Sequence, residues 1–356
     1  MNESQELTDL AGAPKGDEST GSCSLGVAIV SFQSADVIEA CLDSLLESKA
    51  DIAKVVITEN ASRDSSAEVI REWAKKHSHL LDFGEGEVGT LNHSESWLTL
   101  LHAPVNGGFA YATNRSLEVL MADPTINLFW LVNPDCRIAD DAAARYIKEG
   151  SAQDFSLMGG RTIFENHRDT VQTDGGRVSR WTGVCESVNL GVKITASTFP
   201  SAGSLDFITG ANCVASRAFL ETAGLMEEDY FLYYEEVDWA LRRGKLPLKV
   251  VPDAIVWHHG GTSIGTGSVG RRPSAFANYF NYRNRVRFMR RFSPMGLPVT
   301  FLFALAKAAQ LVLLGAGGEA RAVLAGLFSM KPPKEVSDAL SPEAREFAFP
   351  RIKPWT

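Results

Sequence analysis

The chain has 356 residues, 45% hydrophobic and 22% charged, with a formal net charge of −8. This is a globular composition with length for a sizeable core, and its acidic balance argues against a nucleic-acid partner. Five scattered cysteines (Cys23, Cys41, Cys136, Cys185, Cys213) form no C-x-x-C pair, which argues against a disulfide framework or zinc site and fits a reducing cytoplasm.

Residues 1–24 are polar, without an apolar signal segment, and are expected to be a disordered tail. Leu25–Val30 is a short apolar run of the kind found in buried parallel strands. Val37, Ile38, Cys41, Leu42, Leu45 and Leu46 make one apolar helix face. Lys54–Thr58 predicts a second strand, and Ser65 with Glu68 a capping box opening a second helix. A third helix is predicted over Tyr111–Met121 and a further buried strand over Asn127–Val132.

This alternation implies crossover units and a mostly parallel sheet, whose ligands bind at the carboxyl ends of the strands. Four polar clusters fall at such ends: Ser31–Ser34, Glu59-Asn60, Asn106–Gly108 and Asn133–Asp135. Each alone is equally a set of turn residues; their coincidence with strand ends points to a site. The pattern weakens from about 150 to 205, which reads as a variable, acceptor-facing region, and order resumes at Asp206–Gly210 and a helix over Ser216–Ala223.

Asn133-Pro134-Asp135 puts a carboxylate in a tight turn after a wholly apolar strand, where a hard divalent cation could be held. Tyr230–Tyr234 runs an aromatic stretch straight into Glu235, Glu236 and Asp238. Acids there are costly unless paired, solvated or useful. A carboxyl with its pKa raised by burial and a like-charged neighbour can serve as general base, and acids also favour a helix N-terminus. Both readings are kept, with Glu236 chemical and Asp238 structural, paired to Arg242. The strand beginning at Lys249 ends in His258-His259 before a Gly turn, where a neutral imidazole can ligate a metal.

With these motifs in order, the chain resembles the inverting glycosyltransferases of family 2, with the GT-A fold, over about Val27–Phe292. The likeness is nearest the rhamnosyltransferase-like and galactofuranosyltransferase-like members. It implies an α/β fold with a mostly parallel central sheet flanked by helices, and a nucleotide-diphosphate sugar as donor. The implied donor contacts are Ser31, Glu59 (replacing an Asp at the nucleobase), Asn60, Asn106, Gly108, Phe109, Asn114, Asn133 and Asp135. Asp135 and His258 are the implied ligands of Mg2+ or Mn2+, Glu236 the base, and Glu235, Gly210 and Arg283 acceptor or phosphate contacts. A UDP- or dTDP-sugar, with rhamnose as one expectation, would pass to a glycan or lipid-linked glycan in cell-surface polysaccharide or glycolipid synthesis. The Glu59 and Glu236 replacements also permit an inactive nucleotide-sugar-binding or scaffold protein.

Seven arginines and no acid fall between Arg271 and Arg291, either a solvated basic face or a contact for anionic headgroups or an acceptor pyrophosphate. Leu297–Leu314 is an apolar stretch broken by Thr300, Lys307 and Gln310 on one side of a helix. A mid-span Lys costs about 2.5–3.5 kcal/mol on insertion scales, so an in-plane amphipathic helix on the inner face of a plasma membrane is preferred to a span, with a buried packing helix as the alternative. The expected domains are 25–292 for the transferase, 293–330 for the helical extension and 331–356 for a loosely packed tail.

Overall fold

The computed structural model describes residues 23–151, 154–260 and 272–349. Most of the expected N-terminal tail, and the turn after Gly260, lie outside these residues.

The chain opens with β1 (Leu25–Ser31), α1 (Ile38–Glu47), β2 (Ile52–Glu59) and α2 (Ser66–Lys76). It continues through β3 (Phe83–Glu87), β4 (Leu98–His102), α3 (Phe109–Met121), β5 (Leu128–Val132), β6 (Cys136–Ile138) and α4 (Ala142–Gly150). The region without a clear pattern holds β7 (Leu157–Phe164), β8 (His167–Thr173) and a small hairpin, β9 (Gly176–Val178) and β10 (Cys185–Ser187). Then come β11 (Asn212–Ser216), α5 (Arg217–Ala223), α6 (Glu235–Leu241) and β12 (Lys249–His258). The C-terminal part is helical: α7 (Ala275–Phe292), α8 (Leu297–Leu313), α9 (Gly317–Leu327), α10 (Lys334–Asp338) and α11 (Pro342–Ala348).

The central sheet has the order β3-β4-β2-β1-β5-β11-β7-β12-β6. Strands β3, β4, β2, β1 and β5 pair in parallel. β11 runs antiparallel to both β5 and β7, and β12 runs parallel to β7. Two reversals restore direction, so β12 points the same way as β5. His258 therefore reaches the same edge of the sheet as the turn after Val132. This is the expected α/β class, mostly parallel, with β11 inserted antiparallel and β6 and β8 pairing antiparallel to β12 and β7.

Helices cover both faces, which explains why the strands are continuous apolar runs. Leu25, Val27 and Ile29 pack with Leu42, Leu45, Trp73 and Tyr146 on one face. Ala28 packs with Leu117, Leu120, Phe219 and Trp239 on the other. Ser65 makes no side-chain cap bond, so the expected capping box does not form. Asp64 takes over: its Oδ1 accepts from the Ser66 amide at 3.1 Å. The Ser66 hydroxyl in turn accepts from the Ser34 amide at 2.8 Å, tying α2 to the end of β1.

The expected tail also departs from its reading. α10, α11 and the turn between them bury Val336, Leu340, Ala344 and Ala348 against Phe231, Tyr279 and Phe280. Thr300, placed by its spacing on a polar helix side, is fully buried and donates its hydroxyl to the Trp181 carbonyl at 3.1 Å. Small residues of α8 (Ala304, Ala308) and Leu311 face α7 and α9, so the large apolar side chains point outward.

Candidate functional site

A cleft of about 500 Å³ lies at the carboxyl edge of the sheet, within the size range of small-molecule sites. Its walls include Asn60, Asn106, Gly108, Phe109, Asn133, Asp135, Gly210, Glu235, Glu236 and His258. These residues come from the ends of β2, β5 and β12, the loop before α3 and the start of that helix, the segment before β11 and the first turn of α6. The topology thus gathers most of the residues singled out in the sequence.

Four are placed elsewhere. The Ser31 hydroxyl is buried against that of Ser34 at 2.7 Å, and Phe32 and Gln33 line the cleft instead. The Glu59 carboxylate is buried and accepts from the Ser62 amide at 2.8 Å, closing the turn after β2. Asn114 bonds both ways with the Met226 backbone, at 2.9 and 3.0 Å, and joins α3 to that loop. Arg283 lies on the far side of α7, where its guanidinium donates to the carbonyls of Tyr230 (2.8 Å) and Ala348.

At one end of the cleft, His258 Nε2 lies 3.0 Å from Asp135 Oδ1 and 3.2 Å from Asn133 Nδ2. His258 Nδ1 meets Gln172 Oε1 at 2.6 Å. An amide oxygen can only accept, so Nδ1 donates there, and Nε2 is the ring nitrogen that faces the carboxylate. A carboxylate beside an imidazole nitrogen oriented by an outer hydrogen bond is the donor set of a divalent-cation site. The Cys136 thiol lies within the same 4.8 Å cluster, but it donates to the Ala211 carbonyl at 3.5 Å and burial raises its pKa well above the ordinary thiol value. Burial also pushes the Asp135 carboxyl up, but His258 and the Gly260 amide outweigh it and hold the group below its ordinary value. Gln172 is half-buried on β8 between the buried Val171 and Thr173, and nothing in its sequence context marks it.

Glu235 and Glu236 form a second polar group of the cleft. Glu235 is buried and Glu236 half-buried. Burial and the neighbouring Glu236 charge push the Glu235 carboxyl well up, and burial raises Glu236 against the backbone amides that lower it. The Oε2 atoms of both are buried without a hydrogen-bond partner, which is rare without a functional reason. Asp238 differs: it is fully buried and accepts from Tyr230 (3.0 Å), Arg242 (2.8 Å) and Arg291 (3.0 Å). Its role is to anchor α6.

The turn feeding the acid pair holds Phe231, Tyr233 and Tyr234 at φ of 62°, 69° and 75°. Such residues cost about 1–3 kcal/mol each and persist only when their surroundings over-determine them. Asn284 on α7 supplies that constraint: its fully buried amide donates to the carbonyls of Tyr230, Leu232 and Tyr233 at 2.8, 2.7 and 3.0 Å. Its bonds reach about fifty residues back in the chain and leave no local trace in the sequence. Asn284→Ala is expected to lower unfolding stability by about 2–4 kcal/mol, since it leaves buried carbonyls unpaired. Urea unfolding measures this, and an unchanged midpoint would contradict the clamp.

The sequence matches the family model for glycosyl transferase family 2 over residues 26–220. No curated protein matches it. Among solved structures it is similar to the mannosyltransferase PcManGT from Pyrobaculum calidifontis, in complex with GDP-Man and Mn2+, at TM-score 0.48 and 16% identity, covering 91% of this chain and 82% of that one. It is similar to GalNAc-T7 with UDP, GalNAc and Mn2+, at TM-score 0.47 and 13% identity, covering 74% and 51%. TarS 1-349 of S. aureus gives TM-score 0.44 and 13% identity, covering 91% and 77%. The family match spans more than half of the chain and contains the strands whose ends build most of the cleft, so the chain belongs to glycosyl transferase family 2 and is a transferase of the GT-A fold.

Proposed function

We propose that this cleft transfers a sugar from a nucleoside-diphosphate donor to an acceptor hydroxyl with inversion at the anomeric carbon. The observation that carries the reading is the pairing, in one cleft, of an Asp135–His258 donor set with two buried, unpartnered carboxylate oxygens. Glu236, the more accessible of the two acids, takes the proton of the acceptor hydroxyl as its oxygen attacks. The nucleoside diphosphate leaves from the opposite face. Asp135 and His258 hold Mg2+ or Mn2+, which when bound offsets the negative charge of the diphosphate. Asn60 and Asn106 brace the glycine loop that approaches the donor: Asn60 Oδ1 accepts from the Gly107 amide at 3.1 Å and Asn106 Oδ1 from the Gly108 amide at 3.0 Å. Gly210 and Glu235 complete the acceptor side. UDP- and dTDP-sugars, rhamnose donors among them, and a glycan or lipid-linked glycan acceptor of the cell surface are the finer identities proposed.

Titration calorimetry tests the cation grip. With Mn2+ present, Asp135→Ala is expected to weaken binding of the donor nucleotide at least about tenfold, and chelation of the metal should weaken wild type to the same level. Equal affinity in the variant and the wild type would refute the assignment.

A further inference from the structure

The apolar side chains of α8 are turned away from the protein. Leu302 is 68% exposed, Val312 61% and Leu313 88%, with Phe303 and Leu305 about two-fifths exposed. The stretch Pro294–Leu313 is long and apolar enough to cross a membrane, and 28% of it is buried. It packs on α7 and α9 through Ala304, Ala308 and Leu311. It is therefore a helix lying on the domain surface with its large apolar face open, a pattern of in-plane membrane helices.

Beside it lies a second feature. An open basin of about 1880 Å³, separate from the catalytic cleft, is bounded by the second half of α7, the link from α9 to α10, and α11. Arg287, Arg290, Arg291, Lys331, Lys334 and Arg345 line it, against two acids, Asp229 and Glu346. Arg287 pairs with Asp229 at 3.0 Å and Arg345 with Asp338 at 3.3 Å. Lys331 and Lys334 have no acidic partner among the described residues. In a chain of net charge −8 this is a local reversal of sign. Met330 joins the two features, lining the basin and standing 58% exposed. Phe328, 47% exposed, continues the apolar surface to α8 by its ring contact with Phe301.

We propose that α8 and this basin together dock the protein on an anionic phospholipid bilayer, with α8 lying in the plane of the interface. The α8 side chains enter the boundary between headgroups and acyl chains, and Lys331 and Lys334 meet lipid phosphates. A water-facing role explains neither an apolar face of this size nor the cationic basin beside it. The two together supply the hydrophobic and electrostatic signals that peripheral binding needs.

Co-sedimentation of the full chain with lipid vesicles tests this. Vesicles of phosphatidylglycerol and phosphatidylcholine in equal parts should pellet the protein at low salt, vesicles of phosphatidylcholine alone should not, and added salt should release it. Lys331→Ala with Lys334→Ala should weaken partitioning about thirtyfold, the effect of removing two cations worth about 1 kcal/mol each near such a surface. Leu302→Asp with Leu313→Asp, on side chains that contribute little to the core, should abolish it with thermal unfolding unchanged. Protein that stays in the supernatant with the anionic vesicles overturns the proposal. So does binding that neither double variant reduces, or a wild-type dimer that the leucine double variant splits, which would mean that a second copy covers α8. Vesicle binding needs no turnover, so its failure leaves the transfer reading standing.

Discussion

Glu236→Gln is expected to lower transfer about 100- to 10,000-fold, the usual contribution of a well-placed base, while donor affinity stays near wild type. The amide keeps the size and polarity of the side chain but cannot take a proton. Burial raises the Glu236 carboxyl in the folded protein, and that shift gives the reaction a signature in pH. A raised pKa means the carboxyl stays protonated, and so idle as a base, to higher pH than an ordinary glutamate. The rate should therefore climb through a window above the ordinary carboxylate range, and the residual activity of Glu236→Gln should lack that limb. Steady-state rates across pH check both statements. Near-normal turnover in the variant would remove Glu236 from the chemistry.

Gly108→Ala is expected to cost about 2–6 kcal/mol of unfolding stability and to abolish donor binding in whatever protein still folds. Gly108 has φ of 93°, a region L side chains rarely adopt, and a Cβ there would sit 2.3 Å from the Phe231 carbonyl oxygen. That oxygen cannot give way. It accepts from the Phe109 amide at 2.8 Å and belongs to the strained turn that Asn284 clamps. The glycine thus lets the donor loop and the acid-bearing turn meet, and a methyl group would push both out of place. Thermal or urea unfolding with donor calorimetry measures the effect. A stable variant that binds donor normally would show that the contact can relax.

Much of this architecture was legible because its signals are local. β1 and β5 are buried on both faces, so they read as continuous apolar runs, and the turns after β2, β5 and β12 mark the cleft because polar residues follow such runs abruptly. β7 was missed for a reason visible in its packing. Gly159 and Gly160 make Leu157–Phe164 look like a loop, yet a Cβ at Gly160 would lie 1.9 Å from the Ala254 carbonyl oxygen and one at Gly159 2.5 Å from Ile208. They are glycines because neighbouring chains come close, a tertiary demand with no periodicity. Gln172 escaped for the same reason, as did the clamp that Asn284 forms, since each acts on a partner remote in sequence. Ser31, Glu59 and Asn114 show the converse: polar residues beside strand ends and on the next helix read as donor contacts, and in this structure their side chains bond to turns and loops.

The most direct measurement is release of nucleoside diphosphate from a panel of UDP-, dTDP- and GDP-sugars, followed with Mn2+ and after chelation. One of these sugars should be consumed in the presence of the cation and left intact without it, and Asp135→Ala and His258→Ala should both lose that consumption. Equal release after chelation, or no release from any sugar with the cation present, would contradict a cation-gripping transferase site at Asp135 and His258.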